Sequence, residues 1–181
     1  MPKEDHPKLK ETRIVYRGFF DFREDTLMDH QGNTHSYNCL VTKADGVAIL
    51  PEIEKDHFLL TIEYRHPVRR KVLSCPGGRV DHGEEPIKAA KRELLEESGY
   101  EATTWIPLHL FYPFPSACDQ KVYLYLAKDL KKVKKPHLDP LEEIEMKIFS
   151  LQELKTYDSS LYPIDGTLPT ALFYREHLHI P

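Results

Sequence analysis

Three carboxylates, Glu93, Glu96 and Glu97, sit close together in the stretch Gly78 to Tyr100, GRVDHGEEPIKAAKRELLEESGY. On a helix, residues four apart lie one above the other, so Glu93 and Glu97 share a face and Glu96 stands slightly further round. Like charges so placed weaken an isolated helix by about a few tenths of a kcal/mol per pair. A hard divalent cation removes that repulsion. Mg²⁺ in particular takes a few carboxylate oxygens and keeps waters and room for phosphate oxygens. Just upstream, Pro76-Gly77-Gly78 is poor helix. It lets the backbone approach a ligand closely, and the Gly77 carbonyl can serve a metal. The plainer alternative is a solvated acidic face with an Arg92–Glu96 pair at i,i+4.

The element that positions these acids has its ends written into it. Pro86 suits the first turn, where its missing N–H is no loss. Gly99 suits the left-handed position just past the end. Between them Ile87, Ala90 and Leu94 form an apolar stripe that predicts a core-facing side.

The spacing of the whole stretch is specific. Gly78 is followed after five residues by Glu84, then after seven by Arg92-Glu93-Leu94, then Glu96-Glu97 and Gly99-Tyr100. This resembles the Nudix box, the signature of hydrolases that cleave a nucleoside diphosphate linked to another group. Tyr100 departs from it, since a Leu, Ile or Val is usual there. The resemblance implies an α/β fold, a Nudix-type α/β/α sandwich with a mixed central sheet plus an N-terminal antiparallel sheet. Residues 46–181 would form the hydrolase domain, and residues 1–45 a strand region at a homodimer interface. It also implies Mg²⁺, with Mn²⁺ as a substitute, held by Gly77, Glu93, Glu96 and Glu97, with Glu93, Glu97 and a loop glutamate as catalytic residues. Glu142 is the first choice for that glutamate, with Glu143 and Asp139 as alternatives. Glu84 and Arg92 would fix the geometry of loop and helix.

Features outside the box resemble the ADP-ribose and nucleoside diphosphate sugar branch of the family. Tyr16-Arg17-Gly18-Phe19-Phe20 resembles an exchanged N-terminal region whose aromatic, here Phe19, stacks on the base. Arg65, after Ile62-Glu63-Tyr64, matches a substrate-contacting arginine, and Arg79 is a second candidate to grip the diphosphate. Pro115 stands where the branch carries a proline beyond the box, with Ser116 and Gln120 as further substrate contacts. Gln120 replaces a glutamate; it can hydrogen-bond sugar hydroxyls but cannot act as a base. Leu73-Ser74-Cys75 lacks an acid that relatives often have. The implied reaction is hydrolysis of the pyrophosphate bond of ADP-ribose or a nucleoside diphosphate sugar. The alternatives are a nucleoside triphosphate or RNA 5′-end pyrophosphohydrolase and a non-catalytic nucleotide sensor.

Composition narrows the partners. The chain has 181 residues, enough for one domain with a real core, and a net charge of −4 that gives no basic footprint for nucleic acid. Its 3 cysteines (Cys39, Cys75, Cys118) lack metal-ligand spacing and read as reduced thiols of a cytoplasmic protein. No apolar run approaches membrane-spanning length.

Around the box, β-branched and aromatic runs predict a strand over Thr12–Phe22, with Arg23–Asp29 as its partner or continuation, and others at His35–Thr42, Gly46–Pro51, Phe58–Tyr64, Trp105–Phe111, Lys121–Ala127 and Met146–Ser150. Asp129–Lys135 reads as a basic loop. Ser150–Tyr157 and Thr170–His177 read as amphipathic helices that cover the sheet.

Overall fold

A computed structural model describes residues 6–138 and 143–177. Two sheets share the chain. The first is an antiparallel meander of β1 (Lys8–Tyr16), β2 (Asp21–Met28) and β3 (Thr34–Val41). The expected single strand over Thr12–Phe22 is broken here. Arg17 and Lys43 converge on Asp21, at 3.3 Å each, and Lys43 also donates to the Gly18 carbonyl. These contacts fold the chain back on itself at Gly18.

The second sheet has six strands: β4 (Gly46–Glu54), β5 (His57–Arg65), β6 (Arg70–Ser74), β7 (Tyr100–Phe111), β8 (Val122–Lys132) and β9 (Ile144–Ser150). β4 and β8 run parallel, and the other pairs are antiparallel, so the sheet is mixed. Both β7 and β8 reach further than expected, pairing Tyr100 with Lys132, so the foreseen basic loop is largely strand. Lys131 and Lys132 are exposed, and the Lys132 ammonium lies over the Tyr100 ring at 5.6 Å.

Alternation along β4 separates the two faces. Val47 and Ile49 pack against α1 (Pro86–Ser98) through Ala89, Ala90 and Leu94. Ala48 and Leu50 join Phe58, Leu60, Ile62, Leu124 and Leu126 in the larger core, which α3 (Thr167–His177) covers with Leu168 and Ala171. The result is the expected helix, sheet, helix layering. α2 (Leu151–Lys155) is a short helix whose Ser150 and Glu153 cap each other reciprocally.

The sheet forks beside β5. β9 occupies one edge of β5 from His57 to Glu63. On the other edge β4 pairs only at Phe58 and His57, and β6 takes over from Thr61 to Arg65. The gap between β4 and β6 is filled by the turn after β6: Ile49 N–H donates to the Pro76 carbonyl (2.8 Å) and Val47 N–H to the Gly78 carbonyl (2.9 Å). That turn is the Pro-Gly-Gly run singled out from the sequence.

Candidate active site

The glycines of the wedge are there for space. A Cβ on Gly77, whose φ is +155°, would meet the Val47 carbonyl oxygen at 2.2 Å. A Cβ on Gly78 would meet the Glu93 carboxylate at 2.5–2.7 Å. Without those methyls the turn lies against α1. Glu97, 5% exposed, accepts the Gly77 N–H through Oε2 at 3.1 Å. Two of the three acids are thereby set against the backbone of the turn.

Arg92 ties the same helix to the preceding loop. It donates to both oxygens of Glu84 (3.2 and 3.0 Å), to the Arg79 carbonyl (2.9 Å), to Glu93 (2.8 Å) and to Glu96 (3.2 Å). Glu84 also accepts the Asp81 N–H. The hydrogen bonds from Arg92 hold the Glu84 carboxyl below its usual range, and the surrounding acids raise the already high pKa of Arg92. The expected i,i+4 pair is present, but as one arm of a clamp on three carboxylates.

Glu93, Glu96 and Glu97 offer only oxygen, with no sulfur or imidazole beside them, which suits a hard divalent cation. Among the described residues no three acidic, histidine or cysteine side chains already surround one point for a metal. Arg92 donates to Oε1 of Glu93 and to Oε2 of Glu96, so a cation entering here would share those two carboxylates with it. The donor set fits such an ion; the side-chain arrangement is that of the clamp.

Beside the wedge opens a cleft of about 360 Å³. Phe19, Arg65, Gly77, Arg79 and Gln120 all line it. Arg65 pairs with Glu63 at 2.7 Å, and Arg79 with Asp81 at 3.6 Å. Phe19 is 73% exposed, edge-on to Phe20. Ser116 is placed elsewhere, its carbonyl accepting the Tyr37 hydroxyl at 2.5 Å. Glu142 and Asp139 lie outside the described residues, and Glu143 is exposed. The sequence reading missed Lys43, Asp165 and Thr167, which also line the cleft. Lys43 had no signal, being a lone lysine in a connection. Asp165-Gly166-Thr167 carried one, an oxygen-bearing residue before a helix, but it reads only as a cap.

The family model for the NUDIX domain matches residues 42–166. The ADP-ribose pyrophosphatase of Bacillus subtilis (strain 168) is 32% identical over 122 residues, 66% of this chain and 66% of its own length. The methanol dehydrogenase activator of Bacillus methanolicus is 31% identical over 119 residues, 65% of this chain and 64% of its own length. The matches thus span just under two thirds of these relatives. In three dimensions the chain resembles the crystal structure of an ADP compounds hydrolase, with a TM-score of 0.78 and 25% identity over 94% of this chain and 92% of that one.

Proposed function

The chain belongs to the NUDIX family, and from that premise we propose that it hydrolyses the pyrophosphate bond of ADP-ribose or a nucleoside diphosphate sugar. Water adds across one phosphoanhydride, leaving a nucleoside monophosphate and a sugar phosphate. The observation that carries this reading is the junction of a cation-lined cleft (Lys43, Arg65, Arg79) with two helix carboxylates, Glu93 and Glu97, at one glycine wedge. The names of an ADP-ribose pyrophosphatase relative and an ADP compounds hydrolase neighbour support the substrate class.

The family depends on divalent metals. Glu93, Glu96 and Glu97 with the Gly77 carbonyl would hold Mg²⁺, or Mn²⁺ in its place, which would supply positive charge for the phosphate oxygens and a more acidic water. Arg65 and Arg79 grip the diphosphate; Phe19 stacks on the base; Gln120 hydrogen-bonds the remainder of the substrate, a part Ser116, outside the cleft, does not share. Arg92 and Glu84 orient the acids. Glu142 orients or deprotonates the attacking water. The protein acts in the cytoplasm as a homodimer, without nucleic acid or membrane.

A panel of ADP-ribose, several sugar nucleotides, dNTPs and 5′-triphosphate RNA, each with Mg²⁺ and Mn²⁺, tests the reading. Release of nucleoside monophosphate from the diphosphates is expected. Release of pyrophosphate from triphosphates alone would replace it with the pyrophosphohydrolase alternative. Glu97→Gln is expected to keep the circular dichroism of the parent and lose about 10²-fold or more in kcat; parental turnover in that variant would refute the role given to the helix acids.

A further inference from the structure

Asp165 is the one carboxylate among the described residues lining the cleft, and nothing in the proposed reaction uses it. Its backbone N–H donates to the Leu73 carbonyl (2.9 Å), which fixes it beside the end of β6. Its Oδ1 accepts both the N–H (2.8 Å) and the hydroxyl (2.6 Å) of Thr167. The Thr167 hydroxyl lies 3.4 Å from that of Ser74, which donates to the Cys75 carbonyl at 3.1 Å. Asp165, Thr167, Ser74 and Cys75 thus make one polar wall on the β6 side, while Gln120 and Val122 form the β8 side. The neighbouring Cys75 thiol is pushed upward by burial and by the Asp165 charge, so it stays protonated and adds no negative charge.

An ionised carboxylate only accepts hydrogen bonds, at about four lone-pair sites. The two bonds from Thr167 fix its orientation and leave it capacity for a ligand. The cations Lys43, Arg65 and Arg79 suit a diphosphate; an acid in the same cleft suits a neutral group rich in hydroxyls and repels a further phosphate. Resting on the reading above, we infer that Asp165 is a specificity-determining residue. It accepts hydroxyl hydrogens from the group attached to the nucleoside diphosphate and turns away a third phosphate in its place.

Asp165→Asn and Asp165→Ser both keep a side-chain oxygen to cap the Thr167 N–H, so both are expected to melt within a few degrees of the parent. Kinetics are compared on ADP-ribose, on an alkyl ester of ADP that lacks sugar hydroxyls at that end, and on ATP. For ADP-ribose both variants are expected to raise KM about 10- to 100-fold with kcat changed less than about 3-fold, the size of a lost charge-assisted hydrogen bond. The alkyl ester should be unaffected, and the rate on ATP relative to ADP-ribose should rise. Calorimetric Kd for ADP-ribose with Ca²⁺ should move in parallel with KM. A parent that cleaves ADP-ribose while the variants leave KM and Kd unmoved, or weaken both diphosphates equally, overturns the role of Asp165 alone. A parent that cleaves only triphosphates, or neither binds nor cleaves ADP-ribose, overturns the reading and this role together.

Discussion

A methyl group at Gly77 would press on the Val47 carbonyl oxygen, a backbone atom that the sheet holds in place. At Gly78 the same methyl would press on the end of the Glu93 side chain, which can turn aside. The two glycines therefore differ in consequence. Gly77→Ala is expected to cost about 2–4 kcal/mol and lower Tm by about 5–15 °C in a thermal melt; an unchanged Tm would show that the wedge yields. The clamp makes a pH statement. The Glu84 carboxyl is held below its usual value by Arg92. Its stabilisation is thus complete above the unfolded value near pH 4.3 and is lost as pH falls through the lower folded one. Glu84→Gln is expected to be about 1 kcal/mol less stable at pH 7, with the deficit closing as the parent is acidified. Urea midpoints from pH 7 down to pH 2 check this, and a deficit independent of pH would exclude a charge effect. The acids, the Pro-Gly-Gly run and the Glu84–Arg92 pair were legible because their types and spacing are local. Asp165 and Lys43 were not, because only the third dimension brings residues so distant in sequence to Gly77.

At the scale of elements, α1 was legible to within a residue at both ends: Pro86 opens it, and Gly99, at φ +74°, closes it with its N–H on the Leu95 carbonyl. Such punctuation is stereochemical and needs no neighbours. β8 was misjudged at its charged end, where backbone pairing with β7, from Ala102 and Leu130 out to Tyr100 and Lys132, outweighs the polar composition. The long strand foreseen across Gly18 failed for the opposite reason, since distant Lys43 pins the reversal. That reversal also groups Tyr16, Phe19, Phe20, Phe22 and Leu40 around one shallow apolar hollow. Patches of this kind are rarely left open on monomers. Sedimentation is expected to give a dimer that Phe20→Asp disrupts; a fully active parental monomer would remove the exchanged-strand reading of Phe19.

For the whole molecule the fork between β4 and β6 decides the architecture of the site. No sequence period announces a fork, since β4 and β5 each read as ordinary buried strands. It emerges only because β6 displaces β4 on one edge of β5 while β9 holds the other. The Val47 and Ile49 amides, which join β4 to the wedge, are expected to exchange with deuterium only through global unfolding. They should be slower by orders of magnitude than the Gln31 and Asn33 amides, which bond to the exposed side chain of Asp29. Comparable rates would mean that the wedge opens by itself.

The turn beside the cleft is stitched into the same ladder as the core, so on the proposed reading the face offered to a diphosphate is set by the hydrogen bonds of the interior. On that reading the choice among substrates falls to the perimeter of the cleft, to the aromatic reversal and the start of the last helix.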